Sequence, residues 1–239
     1  MRHASLGPRC PRCFSKPALC LCPQLVPRAG RTAVRVVVHE TELHKSTNSG
    51  RLLPLLWREA SMVVYGHGAP SLPAQPWPEG TRPLVLFPLA GAPTLDTIVD
   101  DDPRPFSLVV LDGTWHQANR LRKRFHHARV PFVRLPERER PTLYKLRRGH
   151  FGASLSTLEA TAAALAILER DDDVEAHLVD GFRRMQDRTL WLRGAIDADD
   201  VYGGLPAGLQ RHTVNGPAAA AAPQHDGDDG DIDDATAGA

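Results

Sequence analysis

The stretch Phe106-Ser107-Leu108-Val109-Val110-Leu111-Asp112-Gly113-Thr114-Trp115-His116-Gln117 carries the reading of this fold. An apolar run of strand length ends in an acid and a flexible glycine. Thr114 then stands three residues before Gln117, the capping-box spacing that opens a helix. Strand, short turn and helix make half of a βαβ unit. Working outward, Ala33–His39 is β-branched and apolar enough for a buried strand, residues 62–65 and 84–87 are further short strands, and 132–135 follows a helix over 115–126. Residues 49–59 have helix-like Leu and Trp spacing despite Pro54. Residues 158–170 are helical by their Ala, Leu and Glu content, and 174–191 form the last expected helix, with apolar Leu178, Phe182, Met185 and Trp191. Strands alternating with helices predict an α/β fold with a mostly parallel sheet flanked by helices.

A chain of 239 residues with 42% hydrophobic content builds one large or two small domains. No apolar run approaches the ~18 residues of a membrane helix, and Cys and Pro occupy the N-terminal stretch where a signal peptide carries its apolar segment. The expectation is a cytoplasmic chain with no membrane partner. The formal charge of +1 hides an asymmetry, because residues 216–239 hold six acids and no Lys or Arg, leaving 29 basic against 22 acidic residues, a net +7, over 1–215. Between His116 and His150 eleven Lys and Arg face two acids, Glu137 and Glu139. A polyanion is the natural partner of such a segment. An Arg-rich composition, 25 Arg to 4 Lys, with an ordinary solvated face is the alternative. Order is expected to end near Leu192, with a linker from 194 and a disordered acidic tail from 216.

All four cysteines fall early, as Cys10-Pro11-Arg12-Cys13 and Cys20-Leu21-Cys22. Two close pairs of thiolates can meet at the corners of a tetrahedron, so Cys10, Cys13, Cys20 and Cys22 are expected ligands of a structural Zn2+. Two disulfides or idle thiols are the alternative, and the tight Cys-x-Cys spacing leaves room for another group at one position. Residues 1–32 read as this knuckle and its linker, 33–193 as the main domain and 194–239 as linker and tail.

In open α/β sheets ligands lie beyond the carboxyl ends of the strands. Three turns follow predicted strands or precede helices. Asp112 to Gln117 offers a carboxylate that can take a proton or hold a ligand, and an indole, Trp115, that can stack on a base. The same residues can merely cap a helix and pack a core. Leu155-Ser156-Thr157-Leu158-Glu159 is again a capping box, which requires no ligand. Phe87-Pro88-Leu89-Ala90-Gly91 leaves a strand into a turn. Asn48-Ser49-Gly50-Arg51 starts a helix, where an anion can sit on free N–H groups or Arg51 can simply meet solvent. Arg120 and Arg124 share one helix face at i and i+4.

These motifs, in this order, resemble the DTW-domain proteins, a family of tRNA-uridine aminocarboxypropyltransferases. Asp112-Gly113-Thr114-Trp115 matches their D-x-T-W motif, and agreement runs from Cys10 to about Gln186 through His39, Asn48 to Leu52, Phe87-Pro88, Leu155 to Ala160, Phe182 and Met185. Glu40 departs from the family's Pro and Ser49 from its commoner Thr. The resemblance implies a SPOUT-like fold and S-adenosyl-L-methionine as donor. It implies transfer of the 3-amino-3-carboxypropyl group to N3 of a tRNA uridine, with release of 5′-methylthioadenosine. Under it Asp112, Thr114 and Trp115 are expected at the chemistry, and Phe87, Pro88, Leu89, Asp112, Leu155, Ser156 and Thr157 around the donor. Arg51, Arg120, Arg124, Lys145, Arg147 and Arg148 are expected to contact RNA. A non-catalytic zinc-containing RNA-binding module and an S-adenosylmethionine-dependent RNA methyltransferase are the competing readings.

Overall fold

The computed structural model describes residues 8–98, 101–137, 142–146 and 155–215. Five strands, β1 (Ala33–His39), β2 (Ala60–Tyr65), β3 (Arg82–Leu86), β4 (Phe106–Asp112) and β5 (Phe132–Val133), form one sheet in the order β2-β1-β4-β3-β5. Every pairing is parallel. The near-continuous Val and Leu runs follow from this, because a parallel sheet is covered on both faces. One face, with Val34, Val36, Leu84, Leu108 and Val110, packs on α1 (Leu53–Leu56), α3 (Thr157–Glu169) and α4 (Asp172–Leu192). The opposite face, with Val37, Val85, Val109 and Leu111, packs on Ala118, Leu121 and Phe125 of α2 (Trp115–His127).

Strand order places the site. The chain leaves β1 for β2 on one side, whereas it leaves β4 for β5 on the other, beyond β3. The neighbouring carboxyl ends of β1 and β4, in register at Val38 and Asp112, therefore sit where the connections diverge. Such a divergence opens a crevice beyond the strand ends.

The helix expected over 49–59 is shorter than its periodicity suggests. A 3-10 turn at Gly50–Leu52 leads into four-residue α1, with Pro54 tolerated in the first turn, and Trp57 is already extended. Tertiary packing decides this: Trp57 is fully buried, donates from Nε1 to Thr32 O at 2.9 Å, and lies so close to Gly30 that a Cβ there would stand 2.0 Å from its ring. The strand expected over 132–135 ends at Val133, because Arg134 turns to bridge Thr94 instead. Nor does order end near Leu192: Val201 and Val214 are buried with Trp191 and Leu19, the latter in the chain that follows the first cysteines, and α5 spans Arg211–Asn215. Residues 216–239, expected to be a solvated tail, lie outside the described residues. No helix among the described residues is long and apolar enough to cross a membrane.

Candidate active site

A cavity of about 860 Å³ opens beyond the carboxyl ends of β3, β4 and β5. Leu86, Phe87 and Pro88 enter it from β3, Leu111, Gly113, Thr114 and Trp115 from β4 and the start of α2, and Arg134 to Glu137 from beyond β5. Leu155, Ser156, Thr157 and Ala160 close it from the start of α3. Both helices begin with complete capping boxes. Thr114 Oγ1 accepts from Gln117 N at 3.3 Å while Gln117 Oε1 accepts from Thr114 N at 2.7 Å, and Ser156 with Glu159 repeats the pattern at 3.3 and 2.7 Å. Two helix N-termini, each with a partial positive charge, thus border one mostly apolar cavity. Trp115 stands at the mouth, 49% exposed, edge-on to Phe87 with ring centroids 6.1 Å apart.

Asp112 lies beneath this cavity and does not line it. It is 5% exposed, and both oxygens are engaged: Asn48 Nδ2 donates to Oδ2 and Thr157 Oγ1 to Oδ1, each at 2.6 Å. Asn48 in turn accepts from Arg51 N at 2.8 Å. A Cβ on Gly50 would lie 3.0 Å from Asp112 Cγ, so the 48–50 turn closes over the carboxylate only because residue 50 has no side chain. Asp112 therefore ties the end of β4, the turn after β1 and the start of α3 into one polar knot.

A family model described as the DTW domain matches residues 7–190. The chain belongs to this family. Its relatives include proteins named tRNA-uridine aminocarboxypropyltransferase 2. The one from Macaca fascicularis is 30% identical over 185 residues, covering 74% of this chain and 61% of its own length. The one from Mus musculus is 29% identical over 188 residues, covering 75% and 62%. The one from Drosophila melanogaster is 27% identical over 184 residues, covering 72% and 70%. The chain thus spans about three fifths of the macaque and mouse relatives' length. No solved structure matches it.

In this DTW domain the four cysteines converge. Their sulfurs all lie within 4.8 Å of one another, with Cys10 to Cys22 at 3.7 Å and Cys13 to Cys20 at 3.8 Å. Zinc–sulfur bonds of ~2.3 Å at tetrahedral angles place sulfurs about 3.8 Å apart, so the spacing suits four ligands of one ion. A hydrogen bond to Cys22 pulls the Cys13 thiol down to about 4, whereas burial pushes Cys20 up to about 11, and the Cys13 contact with burial raises Cys22. Crowded thiols cannot all ionise without a cation among them. The turn depends on Phe14 in the left-handed region, φ 60°, which lets Phe14 N reach Cys10 O at 2.9 Å. Its ring lies under the Arg51 guanidinium at 4.6 Å.

Of the residues expected around the donor, Phe87, Pro88, Leu155, Ser156 and Thr157 line the one cavity, as do Thr114 and Trp115. Leu89 does not: it packs against the core on the α2 side. Arg51 is no free phosphate contact, since its guanidinium is half-buried, donates to Leu43 O and covers Phe14, and burial lowers its pKa. Arg124 is exposed but tethered to Leu72 O and Pro73 O; Arg120 and Lys145 are exposed. Arg147 and Arg148 lie outside the described residues. Ser49, from the turn singled out in the sequence, also lines the cavity, and sequence reading missed Lys45, Tyr144, Arg134 and Glu137, which line it too. The strand-end rule reaches Arg134 and Glu137; Lys45 and Tyr144 arrive from loops with no motif of their own, Tyr144 held by its hydroxyl to Thr47 O at 2.5 Å.

Proposed function

We propose that this chain transfers the 3-amino-3-carboxypropyl group of S-adenosyl-L-methionine to N3 of a tRNA uridine, releasing 5′-methylthioadenosine. The observation that carries the reading is one apolar cavity bordered by two capped helix N-termini with an exposed indole at its mouth. Its size lies within the range of small-molecule sites, ~300–1,000 Å³. The relatives' names supply the group transferred and its acceptor. The donor's carboxylate suits the positive ends of α2 and α3, its adenine the apolar walls at Phe87 and Leu111. Trp115 supplies a face on which the unpaired uracil stacks. In the transfer the N3–C bond forms as the C–S bond breaks, and the sulfonium becomes a neutral thioether. The N3 proton leaves at the open mouth, beside the exposed Glu137 carboxylate, which pairs with Arg134 at 3.3 Å.

Asp112 is then a positioning residue. With both oxygens held by Asn48 and Thr157 it fixes the loops that shape the donor site, in place of the proton-taking or ligand-holding role that the sequence offers it. Cys10, Cys13, Cys20 and Cys22 hold one structural Zn2+, which stiffens the N-terminal loop against the core. Reduced thiols at a metal fit a cytoplasmic protein.

The test pairs two measurements. A donor at 100 times its Kd stabilises its protein by about 2.7 kcal/mol, visible as a thermal shift. Incubation of unmodified tRNA with donor and protein should then yield uridine heavier by the aminocarboxypropyl group on nucleoside mass spectrometry. A donor shift with a methyl-sized mass gain makes the protein a methyltransferase, and tRNA binding with neither signal makes it a non-catalytic module.

A further inference from the structure

A second, smaller cavity of about 260 Å³ lies between the cysteine loop and the C-terminal end of α4. Arg9, Lys16, Arg188 and Arg193 line it, with the hydroxyls of Ser15 and Ser46, and no carboxylate does so among the described residues. Arg188 is 2% exposed, and its hydrogen-bond partners among the described residues are neutral acceptors: Leu19 O, Cys20 O, Gln24 Oε1 and Gly204 O at 3.4, 3.2, 2.6 and 3.3 Å. The Nε atoms of Arg188 and Arg9 are both buried without a hydrogen-bond partner among the described residues. Buried donors without acceptors are unfavourable, and a buried cation more so. A zinc tetrathiolate nearby would carry a charge of about −2, which leaves four cations half compensated.

We infer that this cleft binds an oxyanion, and that the anion is a backbone phosphate of the RNA acceptor. The cavity is smaller than the usual range for a nucleoside-sized ligand, and forked guanidinium donors match phosphate oxygens. The choice of a polynucleotide rests on the function proposed above and on one juxtaposition. Lys45 lines the large cavity and Ser46 the small one, so the two lie on either side of a single loop. A base in the first and a phosphate in the second are offered together by RNA, and by no free anion.

The experiment measures binding of an unmodified tRNA transcript against salt for the full chain and for Lys16→Ala combined with Arg193→Ala. Arg193 is exposed and Lys16 half-exposed, so this variant should fold. Removing one or two phosphate contacts should lower the slope of log K against log salt by ~1–2 and leave the donor's thermal shift and the metal content unchanged. Inorganic phosphate should raise the melting temperature of the parent and not of the variant; Arg193→Lys, at an exposed position that keeps the charge and loses the fork, should weaken that effect severalfold. An unchanged salt slope with phosphate binding intact would assign the cleft to a free anion and overturn the RNA assignment. No phosphate effect in the parent overturns the site itself, and an effect seen only after truncation at residue 215 gives the cleft to the acidic tail. Should the parent shift with phosphate but bind neither donor nor tRNA, the transferase reading falls and the anion cleft alone survives.

Discussion

Asp112 meets two donors, Asn48 and Thr157, in a place that water scarcely reaches. Asp112→Asn keeps the shape but leaves a single acceptor oxygen, so one bond survives without its charge and the other position becomes an NH2 facing a donor, and a loss of about 1–3 kcal/mol is expected on urea unfolding. Donor affinity should fall with it, while single-turnover transfer at saturating donor and tRNA stays within about tenfold of the parent. A drop of ~10²-fold or more with stability intact would instead make Asp112 the general base. Gly50→Ala tests the same knot from the other side, since its Cβ would stand 3.0 Å from the carboxylate carbon; overpacking of about 1–3 kcal/mol is expected. At the cysteines, purified protein should hold one zinc per chain by elemental analysis. Chelation should lower the melting temperature, because Cys10, Cys13 and Cys22 share a core with Leu52 and Phe182.

The start of α3 gathers more than a cap. Glu159, 6% exposed, accepts from Ser156 N at 2.7 Å, from Leu143 N at 2.6 Å and from Thr142 Oγ1 at 3.0 Å, so this element also fixes the 142–146 segment that carries Tyr144 and Lys145. Ser156→Ala removes the cap and is expected to lower stability by about 0.5–2 kcal/mol. Bulky replacements separate wall from core more sharply. Ser156→Trp fills the cavity and should abolish the donor's thermal shift, with an unliganded melting temperature no lower than that of Ser156→Ala, which loses the same cap; Leu89→Trp, directed at the core against α2, should lower that temperature and leave donor affinity near the parent's. The reverse pattern, read by calorimetry, would move the donor site to the far side of the β3 turn.

Across the whole molecule the chain's late segment returns to its beginning. Residues 196–214 pack on Trp191 and on Leu19, and Asp180 of α4 anchors them by accepting from Tyr202 Oη at 2.7 Å, while Arg184 Nε of the same helix donates to that carboxylate at 2.8 Å. These bonds, the Arg184 one first, hold the Asp180 carboxyl below its ordinary value. A depressed carboxylate pKa stabilises above the unfolded value of about 3.9 and loses that contribution as pH falls through the folded value. The Arg184 pair survives when the segment opens and only the Tyr202 bond is lost, so hydrogen exchange should show a modest rise in this segment's opening below about pH 4, ahead of the sheet. Asp180→Asn should open it at neutral pH and flatten the dependence.

Local pattern determined much of this protein. Apolar runs in Ala33–His39 and Phe106–Asp112 read as buried strands and are parallel ones, both capping boxes followed from four-residue spacings, and the cysteine pairs pointed to a cluster that could hold one metal ion. These are short-range facts, set by residues that are neighbours in sequence. Tertiary structure alone decided where Asp112 points, that Leu89 turns to the core, that Arg51 serves Phe14 and not solvent, and that residues 196–214 pack beyond Leu192. Each of those depends on partners tens of residues away, whose approach is fixed by strand order and helix packing. Trp57 shows the reason most plainly: its spacing reads as helix, yet burial of its ring against Gly30 and its bond to Thr32 O outweigh the small local preference of a four-residue turn.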